Sequence, residues 1–320
     1  MATDHTYHSL VELAKRTDPQ GNMATLIDLL AEKNPMLEEA HWEEGNGINS
    51  HEFTQIIAEP TPGFGRINKD IPFSGEQTKQ VVEPICYIPD ALRVDSRLLK
   101  LSGHPDQYMR EAAEIHIKAL GKAAHKALLY GNRGTDPDAI NGFMTRLNAL
   151  SLENVLDGGG SGSDTASILV VKWGRNGVYF AYPKGFSKFL EETGPDRVWV
   201  SDNSARGGHW AEIMTWGMNV GLCIEKPKNV QRIANIETSG SSNTFDEDLL
   251  IEALDNMDDT DGAVIYVPKK ILTQMKIKLK DKSNVNFTIE EAWGRRNIMH
   301  FQGVPIKACD QMLITETAIA

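Results

Sequence analysis

The chain has 320 residues, which at about 150 residues per domain predicts two structural units. Apolar residues make up 41% and charged ones 24%, and 33 Lys and Arg against 44 Asp and Glu leave a net charge of −11, which predicts a globular core and argues against a dedicated DNA binder. The absence of any apolar run of about 18 residues excludes a membrane-spanning helix, and three scattered cysteines (Cys86, Cys223, Cys309) with no apolar core in residues 1–20 predict reduced thiols in a cytosolic compartment.

Residues 1–47 predict an arm around one short helix. Met23, Leu26, Ile27, Leu29, Leu30 and Met36 recur at roughly 3.6-residue spacing, and Asn22 or Thr25 can cap it. Asn34-Pro35 interrupts the pattern, one more turn follows over 36–41, and Gly45-Asn46-Gly47 marks a turn. So modest a helix needs another surface to lie on. Residues 48–88 predict a long hairpin: strand-like 53–57 and 80–88 flank Pro60, Pro62, Pro72, Gly63, Gly65 and Gly75. Its middle is poor in apolar residues, so the hairpin is expected to project from the body.

Residues 105–130 carry the strongest helical signal. Pro105 suits the first turn, acids load the first half and Lys118, Lys122 and Lys126 the second, and Gly131-Asn132 ends it. Alanines at 112, 113, 119, 123, 124 and 127 fall on more than one face, which predicts a spine packed on two sides, with Ala123 and Ala124 near a tight backbone contact. Gly158 to Ser163 reads as a flexible link. Beyond it the pattern predicts strands at 167–173 and 177–182, a helical piece at 186–192, and a strand pair at 213–220 and 222–226. A helix at 245–257 capped by Thr244 or Asp246, a buried strand at 262–267, a helix at 268–280 and short strands over 298–319 complete it. Helices and strands are interspersed without a regular alternation, so the fold class is α+β.

The chemistry-bearing patterns are weak. The glycine run at 158–162 lacks the Gly-Lys-Ser/Thr ending and precedes a strand, so it does not match a phosphate loop. Aligning Gly262 with the glycine of a calcium loop puts Met257 and Pro268 at ligand positions that need carboxylates, so Asp258 to Asp261 reads as an acidic turn. The nine histidines show no ligand spacing, and the six tryptophans are spread through every segment, as core and interface packing would place them. No catalytic, cofactor or metal site is expected. An arm, a projecting hairpin, a long helix and an α+β body are instead the parts of a chain that builds contacts with copies of itself.

The segments Leu10 to Pro19, Ile27 to Asn46, Leu129-Tyr130-Gly131-Asn132 with Pro137 and Asn141-Gly142-Phe143, Gly177-Val178-Tyr179 with Tyr182 to Gly185, and Val230 to Ile236 resemble, in order, the major capsid proteins of short-tailed double-stranded DNA bacteriophages. The resemblance implies the Hong Kong 97-type fold: an N-terminal arm (1–47), an extended loop (48–88), a peripheral domain with its spine helix (89–239, helix 105–130), an axial domain (240–305) and a return strand to the peripheral domain (306–320, strand 311–319). It implies a virion protein, assembled in the bacterial cytoplasm, that forms pentamers and hexamers of an icosahedral shell around double-stranded DNA without sequence-specific binding. A portal at one vertex and a separate scaffolding protein are the partners it implies, and it leaves the presence of a decoration protein open. On this reading the loop tip touches a neighbouring capsomer through Arg66, Lys69 and Asp70. Crosslinking through Lys69 or Lys79, as in some relatives, is not carried over, because no acidic catalyst or Asn acceptor is identified. The alternatives are a compartment-forming shell protein or an oligomeric enzyme.

Overall fold

In a computed structural model of the chain, the described residues are 35–67, 73–175, 177–186, 190–201, 207–279, 287–290 and 298–320. The arm helix expected within 23–30 lies outside them. The described part begins with helix α1 (Met36–Glu39) and strand β1 (Trp42–Glu44).

The first of two sheets has six strands. β1, β6 (Val178–Tyr182), β8 (Gly208–Ile224), β3 (Gln77–Asp95) and β2 (Ser50–Ala58) lie side by side in that order, and β7 (Leu190–Ser201) also pairs with β8. β3 is a single strand of 19 residues, roughly 60 Å long at about 3.3 Å per residue, and it changes partner along its length. Residues 77–84 pair antiparallel with β2, and Ile85 to Asp95 pair with Gly221 to Ala211 of β8. The expected hairpin is therefore present, and its second strand runs on into the body.

Two expectations are corrected here. The strand pair at 213–220 and 222–226 is one continuous strand, β8. Gly221, which separates the two expected strands in sequence, is a point of close approach, as is Gly217: a Cβ would overlap the Tyr87 ring at Gly217 and lie 2.9 Å from Ile85 at Gly221. The helical piece at 186–192 is also overturned, because Leu190 starts β7, which pairs with β8 from Met218 to Gly208. Partnership with a distant strand outweighs the local preference of Leu190-Glu191-Glu192 for helix.

The second sheet has seven strands in the order β11 (Phe287–Glu290), β12 (Ile298–Phe301), β13 (Val304–Ala308), β10 (Ala263–Val267), β5 (Thr165–Lys172), β9 (Val230–Glu237) and β4 (Val155–Asp157). β5, β9 and β10 are buried on both faces, which explains their unbroken apolar runs. One face packs Ile168, Val170, Ile233 and Ile265 against helices α5 (Glu247–Asp255) and α6 (Lys269–Leu279). Leu169, Val171, Val264 and Tyr266 join the larger cluster, which contains the spine helix. A division at 239/240 would cut this sheet, since β5 before it hydrogen-bonds with β10 after it.

The glycine run is not a flexible link. Gly158 and Gly160 donate their N–H groups to the carbonyls of Ala234 and Asn235, both at 2.8 Å, and a Cβ at either position would collide with the carbonyl oxygens of β9 at 2.5–2.9 Å. Nor does 311–319 form a strand. Glu316 bridges Thr165, Ala318 N–H reaches Gly162 O and Ile319 N–H reaches the Asn235 side chain, so the tail is held by scattered bonds to the seven-stranded sheet.

Helix α3 (Pro105–Tyr130) spans the expected residues, with α2 (Ser96–Leu101) before it and α4 (Phe143–Arg146) after. It buries Tyr108, Met109, Ala112, Ala113, Leu120, Ala124, His125, Leu128 and Leu129. Arg110, Glu114, Ile115, Lys118, Ala119, Ala123 and Lys126 are exposed. Among the described residues one side of the spine is buried and the other exposed, and the arm expected on that second side lies outside the described residues.

Candidate assembly surfaces

Among the described residues no group of three or more His, Cys, Asp or Glu is placed to hold a metal ion. The three cysteines are free and buried. Burial pushes the thiols of Cys86 and Cys309 up to about 11 and that of Cys223 higher still, so each stays protonated and unreactive. The described residues also carry several exposed surface features.

The extended hairpin is the largest such feature. Its strands are mostly exposed along their length, including Ile56, Ile57 and Val82, and in the connection Phe64, Ile67 and Phe73 are exposed almost completely. Arg66 is exposed beside them, whereas Lys69 and Asp70 lie outside the described residues. The base is held firmly. Arg146 of α4 donates Nη1 and Nη2 to the two carboxylate oxygens of Glu83, both at 2.6 Å, and its Nε reaches Asn141 O at 2.8 Å. Glu83 is only 6% exposed, so the pair is a buried, bidentate one. Gln55 donates to the carbonyl of Glu225 at 2.7 Å, and the Asn46 side chain both donates to and accepts from the backbone of Glu52. The result is a ribbon with a clamped root and an unsupported, apolar-studded tip.

A second ribbon, unforeseen in the sequence, is made by β7 and the first half of β8. Trp199 and Trp210 face each other edge-on at 5.4 Å and are each about half exposed, with Arg197 5.0 Å from the Trp210 ring. Two tryptophans on one exposed ribbon fit an interface better than a solvated edge.

Behind these surfaces lies a buried polar junction. Glu316, 8% exposed, accepts from Tyr130 Oη at 2.7 Å, from Ser167 Oγ and from Arg232 Nη2 at 3.0 Å. Arg232 also donates to Ser167 Oγ and to the carbonyls of Met144 and Leu147. One ion pair thus ties the end of the spine helix, α4, two strands of the seven-stranded sheet and the tail. Burial, reinforced by the adjacent Glu316 carboxylate, holds the Tyr130 hydroxyl protonated at all ordinary pH. Ala124 is fully buried on the spine, while its predicted companion Ala123 is exposed.

A sequence family described as major capsid protein GP7 matches residues 18–320. The chain belongs to this family. Among solved structures, the GP7-family chain is similar to one from bacteriophage epsilon15, with 25% identity and a TM-score of 0.72 over 100% of this chain and 99% of that one. It is also similar in fold to an encapsulin of Synechococcus elongatus PCC 7942, with 11% identity and a TM-score of 0.50 over 75% of this chain and 100% of that one. A Mycobacterium phage Adephagia chain aligns over 71% of this chain and 97% of its own, at 10% identity and a TM-score of 0.46. No curated protein sequence matches. The protein is a capsid shell protein of a bacteriophage virion, α+β, with the Hong Kong 97-type fold.

The sequence missed three features of this capsid protein. Phe64, Ile67 and Phe73 were legible as large apolar residues in a Pro/Gly-rich stretch, although only charged tip residues were singled out. The Trp199/Trp210 ribbon was missed because no element was read between residues 192 and 213. Tyr130, Ser167, Arg232 and Glu316 carry no spacing signal, because they meet only in three dimensions.

Proposed function

We propose that copies of this chain assemble into pentamers and hexamers that close an icosahedral shell around double-stranded DNA, and that its role is structural, with no catalysis of its own. The observation that carries this reading is the extended hairpin. A ribbon with a rigid root and almost fully exposed Phe64, Ile67 and Phe73 at its far end gains little by projecting into water and much by lying on a neighbour. The tip docks on the adjacent subunit through these three side chains, with Arg66, Lys69 and Asp70 as flanking polar contacts worth about 0–1 kcal/mol each as surface pairs.

Residues 1–47 act as the arm and 48–88 as the extended loop. The spine helix and the rest of the six-stranded sheet form the peripheral domain, and the seven-stranded sheet with α5 and α6 forms the axial domain. This partition moves 155–172 and 230–239 into the axial domain, following their sheet. Assembly takes place in the host cytoplasm with a scaffolding protein, and a portal occupies one vertex. The net charge of −11 suits a wall that must not hold its genome by extensive counterion release.

Negative-stain microscopy of the purified chain tests the reading. Closed or polymorphic shells are expected, and small discrete oligomers alone would contradict it. Reversing Arg66 and Lys69 to Glu together should lower shell yield while leaving the subunit folded; unchanged yield would remove the polar part of the tip contact.

A further inference from the structure

The two helices on one face of the seven-stranded sheet carry opposite charge. Helix α5 with its cap contributes Asp246, Glu247, Asp248, Glu252 and Asp255 and no base, whereas α6 contributes Lys269, Lys270, Lys276 and Lys278 and no acid. Both turn their apolar sides into a single cluster, through Leu250, Ala253 and Leu254 from α5 and Ile271 and Met275 from α6. The charges are what remains outside. Asp248, Glu252 and Asp255 are exposed at i, i+4 and i+7, which makes one stripe. On α6 Lys270, Lys276 and Ile277 are exposed, the isoleucine by 64%.

The helix dipole explains only part of each stripe: Glu247 and Asp248 stand in the first turn of α5 and Lys276 and Lys278 in the last turn of α6, where their charges are favoured. Acids four apart repel, and Asp255 sits at the negative end of the α5 dipole. Lys269 and Lys270 stand at the positive end of α6, which is again the unfavourable end. Contacts inside the chain absorb only part of the charge. Lys269 pairs with Asp310 at 2.9 Å and Lys278 lies 5.5 Å from the Phe245 ring, whereas Asp248, Glu252, Asp255, Lys270 and Lys276 enter no ion pair among the described residues.

We infer that the acidic stripe of α5 in one copy seats against the basic face of α6 in the next copy around a ring. A rotational ring is joined head to tail, so each copy must present two different, mutually complementary surfaces. One acidic and one basic helix in the same layer of the same domain supply such a pair, and Ile277 adds an apolar contact among the lysines. The opposed charges steer the encounter and fix its register, and their attraction is screened by salt. This inference rests on the reading of the chain as a ring-forming shell subunit.

Charge swapping separates the two ideas. Asp248→Lys with Glu252→Lys reverses one stripe, Lys270→Glu with Lys276→Glu reverses the other, and all four substitutions together exchange them. All four sites are exposed, so circular dichroism should match the wild type and the melting temperature should stay within a few degrees of it, the reversed end charges of α5 and α6 accounting for the difference. Each single-stripe reversal should cut the yield of rings and shells at least ten-fold, and the four-substitution chain should recover to within about two-fold of wild type. The milder pair Asp248→Asn with Glu252→Gln should flatten the fall in wild-type assembly rate between about 0.05 and 0.3 M salt. Wild-type rings with unaffected reversals, or a folded four-substitution chain that stays unassembled, would overturn the inference alone. A wild type that forms no rings would overturn the capsid reading and this inference with it.

Discussion

The junction around Glu316 and the extended hairpin use polar and apolar groups in opposite ways. At the junction a carboxylate, a guanidinium, a phenol and a hydroxyl are buried together and satisfy one another, and the chain needs nothing from outside. In the hairpin phenylalanines and an isoleucine stand in water, while the polar groups clamp the root. The first arrangement holds one subunit together, and the second leaves stabilisation to be completed by another copy. The difference teaches where to look for assembly in such a chain: at apolar groups left exposed on a segment whose root is over-determined.

The comparison can be broken most forcefully at the junction. Glu316→Gln leaves Arg232 as a buried, uncompensated charge, and should destabilise the subunit by about 3–5 kcal/mol in urea unfolding. A loss below about 1 kcal/mol would mean that the network is decorative. His125, beside Cys309 at 3.8 Å, is fully buried in the same half of the spine helix, and burial lowers its pKa from 6.5 to about 4. The unfolded chain therefore binds the proton first, so stability is complete above about pH 6.5 and falls as the pH drops towards 4, by on the order of 3 kcal/mol. His125→Leu should flatten that part of the stability–pH curve, and an unchanged slope would assign the acid sensitivity elsewhere.

Smaller effects sharpen the contrast along the spine. Ala124→Leu overpacks a fully buried site and should cost roughly 1–3 kcal/mol, read as a lower melting temperature. Ala123→Leu, on the exposed side, should stay within about 0.5 kcal/mol of wild type. Smallest of all for the free subunit is the hairpin tip. Phe64→Ser with Phe73→Ser should leave its melting temperature unchanged and yet reduce shell yield, and a destabilised subunit would show that the tip folds back on its own chain.

What was legible in the sequence follows the same contrast. Helix α3 was readable from Pro105 to Tyr130 because proline, the placement of charges and Gly131 all mark its ends locally, and β10 and α6 were readable for similar reasons. The hairpin was visible because proline and glycine punctuate it. Features decided by distant partners were not. Gly221 looked like a break until Ile85 on the neighbouring strand explained it, and Leu190-Glu191-Glu192 looked helical until β8 claimed it. Gly158 and Gly160 resembled a link because nothing nearby in sequence announces the β9 carbonyls they meet. The junction was the least readable of all, although the resemblance to phage capsid proteins ran through Tyr130 and Arg232.

Hydrogen exchange read by mass spectrometry on free subunits and on closed shells tests the central claim most directly. The account predicts that peptides covering 57–67 and 73–79 exchange rapidly in the subunit and become protected in the shell, while peptides carrying Tyr130, Ser167, Arg232 and Glu316 are protected in both. A hairpin already protected in the free subunit, or one equally unprotected in the shell, would contradict it.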